Sequence, residues 1–425
     1  MKKGKRLAAL CLLAALLLAG CSTAPVLGGN VEELLRAPQA GQAQSEVLTA
    51  LAAYTGGTPQ LKYPRGGDED DPMQFADFDG DGRQEAAVLY LPEEGTANVC
   101  LAVLEQTETG WQVASSAEGL AAEVAQLSMQ SFREEGVQLL VGYANANLTD
   151  RYLAIYQYTG DGLTLLARQP YEQCLAVDLT GDGCADLAVA QAGQPGGVTL
   201  QFWTLRNGVF GQVQTLTFPQ DVVGCDSLQA SRYGSRRGLV ADMRTSAGGW
   251  ASAVLAVQNG HLAFWPQGIG QELLSQTARA VEDLAPRDLE GSGTVCVAQV
   301  RRTLLAEEGA RRIYQVVWYN YLLPEVPQTQ FGVYDSATGL FVRLPMVWSD
   351  GRITLEVDAD TGIWRVRTTE DDTLLMSVRT AEEGETLGNY VRLAGRDGVQ
   401  VMAYFTAACT DAQRTLIASS CQYLT

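Results

Sequence analysis

The chain has 425 residues, of which 46% are hydrophobic and 19% charged, with a formal net charge of −19 and a single histidine, His261. This apolar content excludes disorder over most of the chain, and the length suits two or three average domains or one large repeat-built domain. The acidic excess argues against nucleic-acid partners, which need a basic surface. One histidine argues against multi-histidine metal sites and histidine-dependent catalysis.

Residues 1–20 predict an export signal. Four basic residues among the first six precede an apolar run over residues 7–18, which is too short to span a bilayer. The following Leu-Ala-Gly and Cys21 resemble the lipobox of bacterial lipoproteins. The resemblance implies cleavage before Cys21 and a diacylglyceryl group on its thiol. A plain secretory signal with an incidental cysteine is the alternative.

The lipid anchor predicts a protein tethered at the extracytoplasmic face of the cell membrane. Acyl chains hold a protein at the membrane without electrostatic attraction. An anionic membrane surface should repel the acidic remainder of this chain. No later segment is an uninterrupted apolar stretch of about 18 residues, so nothing else is expected to span the bilayer. Residues 21–60 comprise the lipidated cysteine, a spacer rich in Ala, Gly, Pro and Gln, and a short helix predicted over residues 45–54.

Two nine-residue acidic segments, 77–85 and 178–186, precede apolar runs. Oxygen-bearing side chains at alternate positions can point into one concavity, and glycines at the fourth and sixth positions let the backbone bend around an ion. Ca²⁺ takes 6–8 oxygen ligands, so each segment predicts a structural calcium site. The predicted ligands, which include the carbonyls of Arg83 and Cys184, are Asp77, Asp79, Asp81, Arg83 and Glu85 in the first loop and Asp178, Thr180, Asp182, Cys184 and Asp186 in the second.

A third segment, 288–296, is a degenerate copy of the same pattern. Asp288, Glu290 and Ser292 keep the alternate spacing, but Cys296 stands where the last carboxylate belongs. We therefore expect this loop to shape a turn and not to retain an ion.

The loops are not EF-hands, because position 12 carries no glutamate and β-type runs follow. The nine-residue, strand-flanked pattern resembles the FG-GAP or VCBS repeat of integrin-α-like β-propellers. This resemblance implies a calcium loop that joins two strands of one propeller blade.

The spacing of the segments indicates a longer repeat. Frames aligned on the apolar runs begin at or near residues 77, 130, 178, 229 and 288, at intervals of 53, 48, 51 and 59 residues. Two less clear frames, near Leu344 and Tyr390, extend the series to seven units. Alternating runs joined by Asn-Gly or Asp-Gly turns predict antiparallel hairpins, and four strands in about fifty residues are typical of a propeller blade.

The predicted fold is therefore all-β, a β-propeller of about seven four-stranded blades with minor helices. The alternatives are six blades, a partial propeller followed by a separate C-terminal β domain, or unrelated hairpins in a sandwich. Residues 61–300 are assigned to the FG-GAP/VCBS-like repeats, and residues 301–425 to further blades or the C-terminal domain. A second helix is predicted over residues 270–284, inside the longest interval.

No catalytic residue is predicted. Carboxylates at alternate positions of a glycine-rich loop are better explained as cation ligands than as an acid and base pair. Neither a G-x-S-x-G motif nor a phosphate-binding glycine loop occurs. Arg232, Arg236 and Arg237 flank Ser235 and could grip an anion, or could form an ordinary solvated loop.

The favoured hypothesis is a lipid-anchored, calcium-stabilised propeller that binds a protein or a glycan without catalysis. One alternative is an extracytoplasmic carbohydrate-active enzyme, a polysaccharide lyase or glycosidase, on the same scaffold. Another is an envelope assembly scaffold. Besides the membrane, the expected partner is thus an unidentified protein or glycan.

Overall fold

Apolar alternation and tight turns fold the chain into successive antiparallel hairpins. The structure is a computed structural model that describes residues 41–92, 98–134, 136–193, 197–306, 311–323, 325, 328–358 and 360–424. Within these residues the strands form six sheets, each with four or five strands. The predicted all-β class with four-stranded antiparallel sheets and few helices is confirmed. Residues 1–20 and Cys21 lie outside the described residues.

The first three sheets follow one another along the chain. The first contains β1 (Gln60–Leu61), β2 (Met73–Ala76), β3 (Glu85–Leu91), β4 (Cys100–Thr107) and β5 (Gly110–Glu118). The second contains β6 (Glu123–Gln130), β7 (Gln138–Ala144), β8 (Arg151–Thr159) and β9 (Gly162–Pro170). The third contains β10 (Gln173–Val177), β11 (Asp186–Ala192), β12 (Val198–Arg206) and β13 (Val209–Thr217).

The last three sheets also follow in chain order. The fourth contains β14 (Val222–Tyr233), β15 (Arg236–Thr245), β16 (Trp250–Gln258) and β17 (His261–Phe264). The fifth contains β18 (Val297–Ala306), β19 (Arg311–Tyr319), β20 (Gln328–Asp335) and β21 (Leu340–Leu344). The sixth contains β22 (Ile353–Val357), β23 (Trp364–Thr368), β24 (Leu374–Glu382), β25 (Val391–Arg396) and β26 (Val399–Phe405). The C-terminal β27 (Cys421–Tyr423) returns to pair with β21 of the fifth sheet.

Of the two less clear sequence frames, the one near Leu344 corresponds to the sixth sheet, which begins with β22, whereas the one near Tyr390 does not form a sheet of its own. β24 pairs directly with β26 from Met376↔Phe405 to Glu382↔Val399, and β25 continues on the far side of β26. The β25–β26 hairpin therefore widens the sixth sheet and does not begin a seventh. The sequence boundary between residues 300 and 301 falls inside β18, a strand of the fifth sheet.

Helices cover the sheets at three places. The first, α1 (Gln42–Thr55), contains the helix predicted over residues 45–54 and buries Val47 and Leu51 against the first sheet. The next is α2 (Leu273–Gln276), and α3 (Asp411–Ser419) begins with a Thr410 side chain that accepts the N–H of Gln413. No helix in the described part of the chain is long and apolar enough to cross a bilayer.

The helix predicted over residues 270–284 is wrong in extent. The structure has only α2 and a short 3₁₀ turn, Glu282–Leu284, in this segment. Between them the backbone of Arg279 pairs with Trp250 at the edge of the fourth sheet. Backbone pairing with the sheet replaces the helical hydrogen bonds that the apolar spacing predicted.

Hydrophobic contacts join neighbouring sheets in chain order. Val103 and Val141 belong to a cluster between the first and second sheets, and Leu140 and Leu187 to one between the second and third. Further clusters join the third sheet to the fourth and the fourth to the fifth and sixth. Among the described residues, none of these clusters contains side chains of both the first and the sixth sheet.

The described cysteines, including Cys409 and Cys421, form no disulfide bonds. Cys409 is buried, and the Cys421 thiol donates to the carbonyl of Ile417, with 3.1 Å between Sγ and O. The thiols therefore serve as packing groups in this structure.

A buried ion pair holds the segment after β17 against the fourth sheet. Arg279 Nη2 lies 2.5 Å from Asp242 Oδ2, and the two side chains are 1% and 4% exposed. Arg279 also donates to the Ser252 hydroxyl at 3.2 Å and to the Val281 carbonyl at 3.1 Å, and Ser252 donates to Asp242 Oδ1 at 3.1 Å. Because both charges are desolvated, each depends on the other.

Replacing Arg279 by leucine should lower the free energy of unfolding by about 3–5 kcal/mol, because Asp242 would remain buried without a partner. Chemical denaturation followed by circular dichroism measures this loss. The double variant Arg279→Leu/Asp242→Leu removes both charges and should recover much of it. If the double variant is as unstable as the single one, packing and not charge explains the effect.

Candidate metal centre

The two acidic loops lie where the sequence predicted, between paired strands. The first joins β2 to β3 and is closed by the pair Ala76↔Glu85. The second joins β10 to β11 and is closed by the pair Val177↔Asp186. Each loop therefore has its last carboxylate on the first residue of a strand and the others in the turn.

The carboxylate at the first loop position organises the turn. Asp77 accepts the N–H of Gly80 on Oδ1 at 2.7 Å and that of Gly82 on Oδ2 at 2.9 Å. Asp178 accepts the corresponding N–H groups of Gly181 and Gly183 at 2.5 and 3.3 Å. These four glycines have φ between 83° and 92°, a left-handed conformation that other residues rarely adopt.

The carboxylate at the ninth position is buried and accepts backbone N–H groups near the start of its loop. Glu85 Oε2 accepts from Phe78 N at 2.8 Å. Asp186 Oδ2 accepts from the backbone N–H groups of Leu179 and Thr180, both at 2.7 Å. These hydrogen bonds fasten each turn to the first residue of the second strand.

A neutral residue that the sequence analysis did not select makes the same contact in the second sheet. Gln138 is fully buried at the first position of β7, and its Oε1 accepts the N–H groups of Phe132 at 2.7 Å and Arg133 at 3.2 Å. It is the ninth residue of the frame that begins near Gln130. Comparing the ninth positions of the frames would have identified it.

Only the first loop gathers three carboxylates closely enough to hold one ion. Ligand oxygens of Asp77, Asp79 and Glu85 all lie within 4.8 Å of one another. None of the three forms an ion pair within the described part of the chain. Asp81 lies outside this group because Arg83 binds it, with Nε 2.9 Å from Asp81 Oδ2.

The group has a negative environment. Burial raises the pKa of Glu85, against the effect of the Phe78 N–H donor, and the carboxylates of Asp79, Asp81 and Asp77 raise it further. Arg83 lowers the pKa of Asp81 through its side-chain hydrogen bond. A divalent cation between the three clustered oxygens would offset this repulsion, and oxygen donors of this kind suit Ca²⁺.

Beside the group, the Tyr158 hydroxyl of the second sheet donates to Glu105. Burial and this carboxylate, together with Asp79 and Glu85, raise the pKa of Tyr158. Tyr158 therefore stays neutral and adds no further negative charge beside the carboxylates.

In the second loop the first carboxylate, that of Asp178, pairs with an arginine, whereas Asp77 at the same position of the first loop has no such partner among the described residues. Arg237 of the fourth sheet places Nη1 2.8 Å from Asp178 Oδ2 and also donates to the Asp178 carbonyl at 3.0 Å. Burial opposes the shift, but the Gly181 N–H and Arg237 lower the pKa of Asp178. A guanidinium thus supplies positive charge to this loop.

The other predicted ligands of the second loop are engaged locally. Asp182 Oδ1 accepts the N–H of Cys184 at 2.9 Å, and the Thr180 hydroxyl lies 3.4 Å from Asp186 Oδ1. In the part of the chain that the structure describes, these groups do not form a carboxylate cluster like that of the first loop. The structure therefore distinguishes two loops that the sequence pattern treated as equivalent.

The degenerate third loop is organised by its first carboxylate, which agrees with the turn expected there. Asp288 accepts the N–H groups of Glu290 at 3.2 Å, Ser292 at 3.1 Å and Gly293 at 2.6 Å. The thiol of Cys296 lies 3.5 Å from the Thr329 hydroxyl and does not fold back to the loop.

The three arginines near Ser235 do not converge on one anion site. Arg237 binds the second loop, whereas Arg236 stacks on Trp265, 4.4 Å from the ring centroid, and donates to the Leu322 carbonyl. Arg232 is exposed and borders the third loop. Each guanidinium therefore has different surroundings.

No family model matches the chain, and no curated protein matches it. Several solved structures are similar at low identity. Rhamnogalacturonan lyase YesW is 12% identical, with 82% of this chain and 90% of that chain covered and a TM-score of 0.28. The Bacillus licheniformis rhamnogalacturonan lyase is 12% identical, with 83% and 76% covered and a TM-score of 0.28. Aleuria aurantia lectin is 10% identical, with 80% and 98% covered and a TM-score of 0.25. Likenesses of this size carry no argument about function.

Without calcium, the stability of the protein should depend on the protonation of Glu85. A carboxyl whose pKa is raised on folding binds its proton more tightly in the folded state, so its stabilising contribution is present below the unfolded pKa and is lost as pH rises through the folded pKa. In chelator, wild type should therefore gain stability relative to Glu85→Gln as pH falls from about 7 toward about 4.3. Denaturant titrations of both proteins across this range test the sign; a constant difference, or one of opposite sign, contradicts it.

Proposed function

We propose that the chain is a lipid-anchored, extracytoplasmic binding protein whose six sheets are arranged as in a β-propeller and whose first acidic loop is stabilised by Ca²⁺. The observation that carries the calcium proposal is the close group of Asp77, Asp79 and Glu85 oxygens with no described cation partner. The propeller arrangement is supported by antiparallel sheets that pack on one another in chain order.

A binding role is favoured over catalysis because the acidic side chains form hydrogen bonds that shape the loops. Asp77, Glu85, Asp178 and Asp186 each accept loop N–H groups, which fixes their positions. Carboxylates held in this way shape a loop and can coordinate a cation. Calcium would act as a structural ion, with an affinity of about 10⁻⁴–10⁻³ M, as in other extracellular modules.

Calcium should raise the thermal stability of wild type, and the increase should depend on the first loop. Saturation to about ten times Kd would add about 1.4 kcal/mol to the free energy of unfolding. Glu85→Gln keeps an acceptor for Phe78 N–H but removes the charge, so it should abolish most of this response. Thermal melts in chelator and in increasing calcium measure it.

Asp186→Asn is the matched control, because Asp186 has the same ninth position, burial and backbone contact in the second loop. Arg237 already supplies charge there, so the calcium response should remain. An unchanged melting temperature of wild type in calcium would overturn the metal proposal. Equal loss of response in both variants would show that calcium does not act through the first loop alone.

The proposal of a lipid anchor rests on the sequence around Cys21, which lies outside the described residues. Cys21→Ser should leave the signal uncut at this site and unlipidated, because only a thiol takes the diacylglyceryl group. Metabolic labelling with a radioactive fatty acid and membrane fractionation measure the change. Cys11→Ser is the matched control and should label like wild type; labelling of the Cys21 variant would contradict the proposal.

A further inference from the structure

A cavity of about 500 Å³ lies between the β14–β15 hairpin, the third loop and the fifth sheet. This volume is within the range of about 300–1,000 Å³ typical of small-molecule sites. Its polar lining includes Arg232, Asp288, Glu290, Asn320 and Gln330. None of these residues belongs to the candidate metal centre.

The walls of the cavity are held together by contacts between β14 and the third loop. The backbone N–H of Arg232 donates to the Gly293 carbonyl at 3.1 Å, and the Thr294 hydroxyl donates to the Arg232 carbonyl at 2.7 Å. The Ser231 hydroxyl accepts the N–H of Val295 at 2.9 Å. The cavity is therefore a preformed space between connected elements.

Two buried amides line this space with unused hydrogen-bonding capacity. Gln330 is 5% exposed, and its side-chain amide has no hydrogen-bond partner among the described residues. Asn320 is 6% exposed; its Oδ1 accepts the N–H of Leu322 at 3.1 Å, and its Nδ2 has no protein acceptor in the described ranges. Both side chains line the cavity, so their amide groups can pair with a polar occupant.

The degeneration of the third loop removes a group that occupies the corresponding place elsewhere. In the first and second loops a carboxylate at the ninth position turns back to the loop backbone. Here the residue is Cys296, whose shorter thiol lies beside Thr329 at the cavity wall. Cys296, which stands in place of the last predicted calcium ligand, thus lines the cavity.

The charges and apolar surfaces restrict the occupant. Asp288 and Glu290 border the cavity with one guanidinium, that of Arg232, so a phosphate or other strong anion would meet two carboxylates. Tyr233 is 47% exposed at the same site, and Leu323 adds a second apolar surface. Amides and carboxylates can pair with hydroxyls, which both donate and accept, while the tyrosine ring can cover the C–H face of a sugar.

We propose that this cavity binds a neutral, hydroxyl-rich sugar residue, with the Gln330 and Asn320 amides and the Glu290 carboxylate contacting its hydroxyls and Tyr233 covering its apolar face. The inference rests on the proposed binding function and assigns it a ligand class and a site. It requires no metal ion, and therefore does not depend on the calcium proposal.

Saturation-transfer NMR with the full chain in detergent tests the proposal, with free glucose, galactose, mannose, fucose, rhamnose and galacturonic acid as probes. At least one neutral sugar should bind, and should bind more tightly than galacturonic acid. Gln330→Leu should weaken the binding of that sugar by about tenfold, as expected for the loss of one hydrogen bond. Tyr233→Ala changes an exposed side chain and should leave the fold intact if Gln330→Leu is unstable. It should also weaken sugar binding, because it removes the ring that covers the apolar face of the sugar.

Gln169→Leu is the matched control. Gln169 is a buried strand glutamine of the second sheet whose Nε2 has no hydrogen-bond partner, and it does not line the cavity. This variant should bind the sugar like wild type. The proposal is overturned if none of the probes binds, if galacturonic acid binds most tightly, or if binding survives in the Gln330 and Tyr233 variants. None of these results would alter the calcium dependence of melting, so the two proposals fail separately.

Discussion

The loops of this protein depend on one interaction. A buried acceptor on the first residue of the strand that follows the loop accepts a backbone N–H of that loop. Glu85, Gln138 and Asp186 occupy that position in the first three sheets, and each accepts a backbone N–H from the loop before it. Leaving such an N–H unbonded in the interior costs about 1–3 kcal/mol. Since the glutamine makes the contact as well as the carboxylates, the acceptor oxygen is the structural requirement and the negative charge is an addition to it.

The added charge then has different consequences in different sheets. In the first loop, the clustered carboxylates of Asp77, Asp79 and Glu85 have no ion-pair partner among the described residues, and this arrangement suits a cation. In the second, Arg237 approaches from another sheet and pairs with Asp178. An internal guanidinium needs no ion from solution, but it ties the loop to the fourth sheet. The same sequence pattern thus gathers three carboxylates in one place and makes an inter-sheet contact in another.

The local sequence pattern predicted the strands and loops because the interactions that form them join residues close together in the chain. Glycines at the fourth and sixth loop positions and alternating apolar residues determine a turn between two strands, and the pairs Ala76↔Glu85 and Val177↔Asp186 follow. What local pattern cannot determine is which distant element meets that turn. Arg237 lies 59 residues after Asp178 along the chain, and nothing near the second loop indicates their contact. The β25–β26 hairpin has the alternation of a new unit, but its pairing with β24 is decided by tertiary packing.

The third loop shows why a degraded motif need not be a lost function. Asp288 still holds the turn through three N–H groups, so the backbone shape survives without the ninth carboxylate. Once that shape is secured by one residue, the ninth position is free to vary, and Cys296 fills less space than glutamate or aspartate would. The loop consequently borders a polar cavity whose lining includes the side chains of Asn320 and Gln330. Asp288 thus both holds the turn and borders the cavity, so a loop that keeps its fold also forms part of a cavity wall.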